Sequence, residues 1–165
     1  MKCIHGILIF LLLLTRSSLS EERGEHHRSA DGNTELIYLA ANYALVKGIN
    51  LINTTYTIHK AHYLGPPETI ELTGDYLGVE LVAGVKSLAV LDNIAIGTGL
   101  KPYATKPPKQ NLFFVLNFKT GDVAFVKSKS QFQSMLEKRK VGRETLLLAI
   151  DDAILHLKNR FDSRK

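Results

Sequence analysis

The chain has 165 residues and a mass of 18.4 kDa, room for one domain with tails. Apolar residues make up 45% and charged residues 22%, an ordinary globular mixture that excludes wholesale disorder, a collagen-like repeat and a long coiled coil. The net charge of +5 is too mild to point to nucleic acid, and no apolar run is long enough to cross a bilayer as a helix.

The N-terminus has the three parts of a secretory signal peptide. Lys2 supplies the positive start, residues 7–14 form a dense apolar stretch, and Ser18-Leu19-Ser20 offers small residues ahead of Glu21-Glu22. The apolar stretch is too short for a membrane anchor. We expect residues 1–20 to be removed and the product to be secreted. Removal takes away Lys2, Arg16 and the only cysteine, Cys3. The remaining chain then has no internal disulfide and no cysteine zinc site, and must stand on its apolar core.

Residues 21–33 are polar and read as a flexible arm, with His26-His27 a weak metal signal. Residues 36–46 read as a buried helix, capped by Asn33 or Thr34 and ended by Gly48. Residues 49–58 are richer in β-branched side chains and read as extended. They contain Asn53-Thr54-Thr55, an N-glycosylation acceptor triplet, which places Asn53 on the surface if the site is used. Gly65-Pro66-Pro67 breaks the chain. Short strands are expected at 69–73, 76–82 and 86–91, with Ala83-Gly84 between the last two.

Gly97, Gly99, Pro102, Pro107 and Pro108 mark a loop. Residues 112–117 are a continuous apolar run fit for a buried strand, and residues 122–127 return through Lys119-Thr120-Gly121 as a hairpin. Ser130 and Gln133 have the spacing of a capping box, ahead of Phe132, Met135 and Leu136 on one helical face. Gly142 stops that helix. Residues 145–150 form another strand, and Asp151 or Asp152 caps a last helix whose Ile154, Leu157 and Phe161 point one way. The fold class is α+β: a mixed or antiparallel, sandwich-like sheet with flanking helices, in a single domain over residues 34–165.

Catalytic constellations are sparse. The chain contains no Gly-x-Ser-x-Gly, phosphate-loop or His-Glu-x-x-His pattern. His59 and His62 read as a surface pair rather than as metal ligands. Asp151 and Asp152 could work as paired carboxylates, or contact a polar ligand as hydrogen-bond acceptors, although negative charge also simply suits a helix start. Lys138, Arg139, Lys140 and Arg143 form a basic patch suited to sulfated glycans or acidic surfaces. No cofactor or metal is called for.

Phe132, Leu136, Gly142 and Asp151-Asp152 follow the spacing Phe-x3-Leu-x5-Gly-x8-Asp-Asp, with the apolar strand Leu146-Leu147-Leu148-Ala149-Ile150 before the acidic pair. Upstream stand Leu91-Asp92-Asn93, Gly99 and the run from Phe113 through Lys119-Thr120-Gly121 to Val123. Over residues 85–160 this resembles the ILEI/PANDER domain of small secreted cytokine-like proteins, in a diverged form shortened at its C-terminal end. The resemblance implies a β-rich core with flanking helices and a role in recognition, with sugar binding in related domains. Read physically, the matching residues are structural: Phe113, Val115, Val123, Phe132, Leu136, Leu147 and Ala149 are expected in the core, and Gly121 permits a positive-φ turn.

The expected function is therefore a secreted, non-enzymatic, cytokine-like factor that recognises a cell-surface receptor or glycan, without nucleic acid and without stable membrane insertion. A carbohydrate-binding module, with Tyr76 and Tyr103 as stacking candidates, is the alternative. A glycan-processing enzyme built on Asp151 and Asp152 is a second.

Overall fold

The computed structural model describes residues 26–28, 32–40, 42–49, 51–60, 78–103, 110–142 and 145–162. Its strands, in chain order, are β1 (His26–Arg28), β2 (Thr34–Ala40), β3 (Tyr43–Ile49), β4 (Thr54–Lys60), β5 (Val79–Leu91), β6 (Ile94–Leu100), β7 (Leu112–Asn117) and β8 (Val123–Val126). Helix α1 (Lys129–Lys138), the short strand β9 (Leu148–Ala149) and helix α2 (Ile150–Asp162) complete it. Strands β1 to β8 pair in sequence order as an antiparallel meander, and β9 adds to the side of β5. The α+β reading, a sheet core with flanking helices, holds.

Residues 36–46 are not a helix. They form most of β2 and β3, an antiparallel hairpin with Glu35 opposite Lys47 and Tyr38 opposite Ala44. An all-round apolar segment suits a strand buried on both faces as well as it suits a buried helix. Here both faces are in use: Ile37, Leu39, Tyr43 and Leu45 enter the main core, while Leu36, Ala44 and Val46 form a smaller cluster on the other side. The stretch 49–58 divides between the end of β3 and β4. Within the arm expected at 21–33, β1 pairs with β2. The strand expected at 69–73 lies outside the described residues.

Strand β5 joins what the sequence split in two. Gly84 does not end it; at φ +49 it bends it, and the register against β6 shifts between Ala83 and Ser87. The strand thereby serves two half-sheets, β4 pairing near its start and β9 near its end. Gly97 and Gly99 also lie within a strand, β6, rather than in a loop. A β-carbon on Gly97 would fall 2.1 Å from the Ser87 carbonyl, so glycine is what lets β5 and β6 approach there.

The hairpin of β7 and β8 matches expectation. The Asn117 side chain accepts from the backbone N–H of Lys119 at 2.9 Å, and Gly121 turns the chain at φ +80. The capping box of α1 is built two residues earlier than expected: Ser128 accepts from the Gln131 N–H, and the Gln131 side chain accepts from the Ser128 N–H. Phe132 and Leu136 bury one face of α1, with Phe132 stacked on Phe113 at 4.9 Å. The helix ends at Lys138, ahead of Gly142, and the left-handed residue after it is Lys140 at φ +57. Of residues 145–150 only Leu148 and Ala149 pair as a strand. Ala149, expected in the core, is exposed, because α2 begins immediately after it and turns its side of the chain outward.

The sheet curls so that β3 approaches the β7–β8 connection. Tyr43 of β3 packs on Phe118, beyond β7, with ring centroids 5.1 Å apart. The main core lies inside this curl, where Leu45, Ile58, Val82, Leu88, Phe114 and Leu116 are fully buried. Helix α2 closes it with Ile150, Ala153, Ile154 and Leu157. Each large side chain so buried contributes about 1.5–3 kcal/mol of transfer free energy.

Candidate recognition site

Helix α2 sits on the sheet with two different flanks, and its periodicity explains both. Asp151 and Lys158 are seven residues apart, two turns, and so share one flank. The facing strands supply a row of registered neighbours: Glu35 opposite Lys47, and Lys47 opposite Tyr56. The Tyr56 hydroxyl donates to Asp151 Oδ1 at 2.5 Å. Lys158 Nζ lies 2.6 Å from Glu35 Oε1, and Lys47 Nζ lies 3.7 Å from Glu35 Oε2. Glu35 is only 5% exposed, and a buried carboxylate is tolerated when paired in this way. Burial pushes the Tyr56 hydroxyl up to about 12, reinforced by its hydrogen bond to Asp151, the Asp151 charge and the charge of Glu35. This flank is a clamp that fixes α2 at two points.

The opposite flank of α2 carries Ala153, His156 and Leu157. With Leu88 to Leu91 of β5 and the segment 145–148 it encloses an open, largely aliphatic pocket of about 320 Å³. Thr145 and His156 are its polar groups. Thr145 already donates to the Gly142 carbonyl at 2.9 Å, so its hydroxyl oxygen remains as an acceptor. On the outward crest of the helix, Asp152 stands one turn before His156, and Leu155 is 59% exposed. Leu146, on the pocket wall, is 74% exposed.

The two aspartates of the sequence motif are therefore separated in role. Asp151 is taken up by Tyr56, while Asp152 faces outward beside the pocket. Neither caps α2 from outside, since both lie in its first turn, where negative charge suits the helix N-terminus. Among the described residues of the basic patch, none lines this pocket. Lys138, Arg139 and Lys140 are exposed at the end of α1, with Arg139 Nη1 donating to the Met135 carbonyl, and Arg143 lies outside the described residues.

His59 is not a surface residue. It is 9% exposed in β4, with Nε2 2.9 Å from the Thr57 hydroxyl, and His62 lies outside the described residues. Asn53 is exposed at the end of the β3–β4 connection. Tyr103 is 83% exposed and Tyr76 lies outside the described residues. Among the described residues, no three His, Cys, Asp or Glu side chains gather as a metal site. No described helix is long and apolar enough to cross a membrane.

Sequence reasoning passed over Glu35, Tyr56, Lys158 and His156. For the last two a signal existed: Lys158 stands two turns from Asp151, and His156 one turn from Asp152. Glu35 and Tyr56 gave none, because their role depends on the pairing of β2, β3 and β4. Comparison with known proteins gives no match: no family model, no curated relative and no solved structure corresponds to this chain.

Proposed function

We propose that the chain is a secreted, non-enzymatic recognition factor, cytokine-like in the sense of the ILEI/PANDER resemblance, that binds a protein receptor at cell surfaces. The observation that carries this reading is the face beside α2, where an aliphatic pocket of about 320 Å³ has exposed Leu146 and His156 in its lining, with Asp152 one turn before His156. An apolar anchor site with a polar rim is the usual anatomy of a protein contact. The aliphatic lining favours an apolar side chain of a receptor over a sugar ring, which stacks best on aromatic faces. The signal sequence supports delivery to the extracellular space.

The test uses labelled, secreted protein on intact cells. Saturable binding should weaken at least tenfold in Leu146→Asp, the loss of about 1.4 kcal/mol or more expected for an anchor residue. Asp152→Asn should weaken it less. Leu146 is exposed, so the circular dichroism spectrum should not change. Binding that survives both substitutions would move the contact elsewhere, and binding abolished by enzymatic removal of cell-surface glycans would favour the carbohydrate-binding alternative.

A further inference from the structure

The connection between β3 and β4 places two large aliphatic side chains in water. Ile49 pairs with Thr54, and Leu51, Ile52 and Asn53 lie in the connection between them. At its tip Leu51 is 106% exposed and Ile52 is 87% exposed, and Ile49 beneath them reaches 36%. These three, with Asn33 and Asn53, line a wide, shallow depression of about 650 Å³ at this end of the sheet. Asn33 is fixed there, its carbonyl accepting from the Ile49 N–H at 2.7 Å. Contiguous exposed aliphatic residues on a soluble surface usually mark something that covers them.

The covering group is indicated by the next residue. Asn53 opens the acceptor triplet Asn53-Thr54-Thr55, its residue is exposed, and it belongs to the rim of the same depression. We propose that an N-linked glycan on Asn53 is the cover: its first sugar lies in the depression over Ile49, Leu51 and Ile52 and keeps this tip from associating with other copies of the chain. The inference rests on the secretion reading above.

The chemistry is a glycosyl transfer from a lipid-diphosphate-linked oligosaccharide of the secretory membrane. A bond forms between the anomeric carbon and Asn53 Nδ2. The bond from that carbon to the diphosphate oxygen breaks, the lipid diphosphate leaves with the electron pair, and the amide nitrogen loses one proton. Transfer precedes folding of this hairpin, since Thr54 and Thr55 belong to β4, where the Thr55 hydroxyl lies 3.5 Å from the Gly48 carbonyl.

The experiment expresses the full chain in glycosylating eukaryotic cells and examines the secreted product by mass spectrometry and size-exclusion chromatography. The expected protein carries a sugar mass that an N-glycan amidase removes, and elutes as a monomer. After that removal, or in Asn53→Gln and Thr55→Ala, elution should shift to oligomers. Adding Leu51→Ser and Ile52→Ser to Asn53→Gln should return it to monomer. A chain retained inside the cells overturns the secretion reading itself. A secreted chain without the sugar, or one that stays monomeric after its removal, overturns the cover alone.

Discussion

Tyr56 holds its hydroxyl proton further into alkaline solution than a free tyrosine does, and this makes it a reporter of the α2 clamp. Its value rises from 10.0 to about 12 because burial disfavours the phenolate and because Asp151 accepts its hydrogen bond. Below pH 10 the proton is bound in both the folded and the unfolded chain, so the contribution to stability is complete. Between 10 and about 12 only the folded form keeps the proton, and stability falls as pH rises. In Tyr56→Phe this alkaline loss should shrink, and stability at neutral pH should drop by about 1 kcal/mol, because exposed Asp151 recovers water as a partner. Urea titrations at neutral and alkaline pH measure both effects. An identical alkaline decline in the two proteins would show that the clamp is not what titrates.

Gly97, expected in a loop, and Gly142, expected to stop a helix, have opposite surroundings. A β-carbon on Gly97 would meet the Ser87 carbonyl at 2.1 Å and the Phe114 ring at 2.9 Å, whereas one on Gly142 meets nothing within 4 Å. Gly97→Ala should therefore force β5 and β6 apart and cost about 3 kcal/mol or more. Gly142→Ala should be neutral or stabilising by about 0.4–1 kcal/mol, since it only restricts the unfolded chain. Thermal unfolding of the two variants decides this. Equal effects would mean that the β5–β6 pair tolerates spreading. The apolar residues of the helix expected over 36–46 fit either element, and the choice fell to strands because β3 finds registered partners along β2 and β4, which local propensity does not record.

Strand β5 is shared by both half-sheets. It pairs with β4, β6 and β9, and its fully buried Leu88 lies opposite both Gly97 and Leu148. Leu88→Ala should cost about 2–5 kcal/mol and still leave a single unfolding transition, because both half-sheets lean on the same strand. Far-ultraviolet circular dichroism and tyrosine fluorescence should then report the same midpoint. Two separated midpoints would show that the half-sheets fold independently. The face proposed for recognition is also assembled here, since its pocket needs β5, the segment 145–148 and α2 together.

The sequence carries enough local signal to specify several elements outright. The strand at 112–117 is a continuous apolar run, the Gly121 turn needs a residue free to adopt positive φ, and the face of Phe132 and Leu136 repeats at helical spacing. It also placed the acidic pair at the start of the last helix. Long-range packing makes residues 36–46 strands, lets Gly84 bend β5 rather than end it, and turns Asp151 to Tyr56 while Asp152 faces water. Those outcomes depend on pairing and burial between residues far apart in the chain, as when Tyr56 meets Asp151 across 95 positions, and no local pattern carries that information.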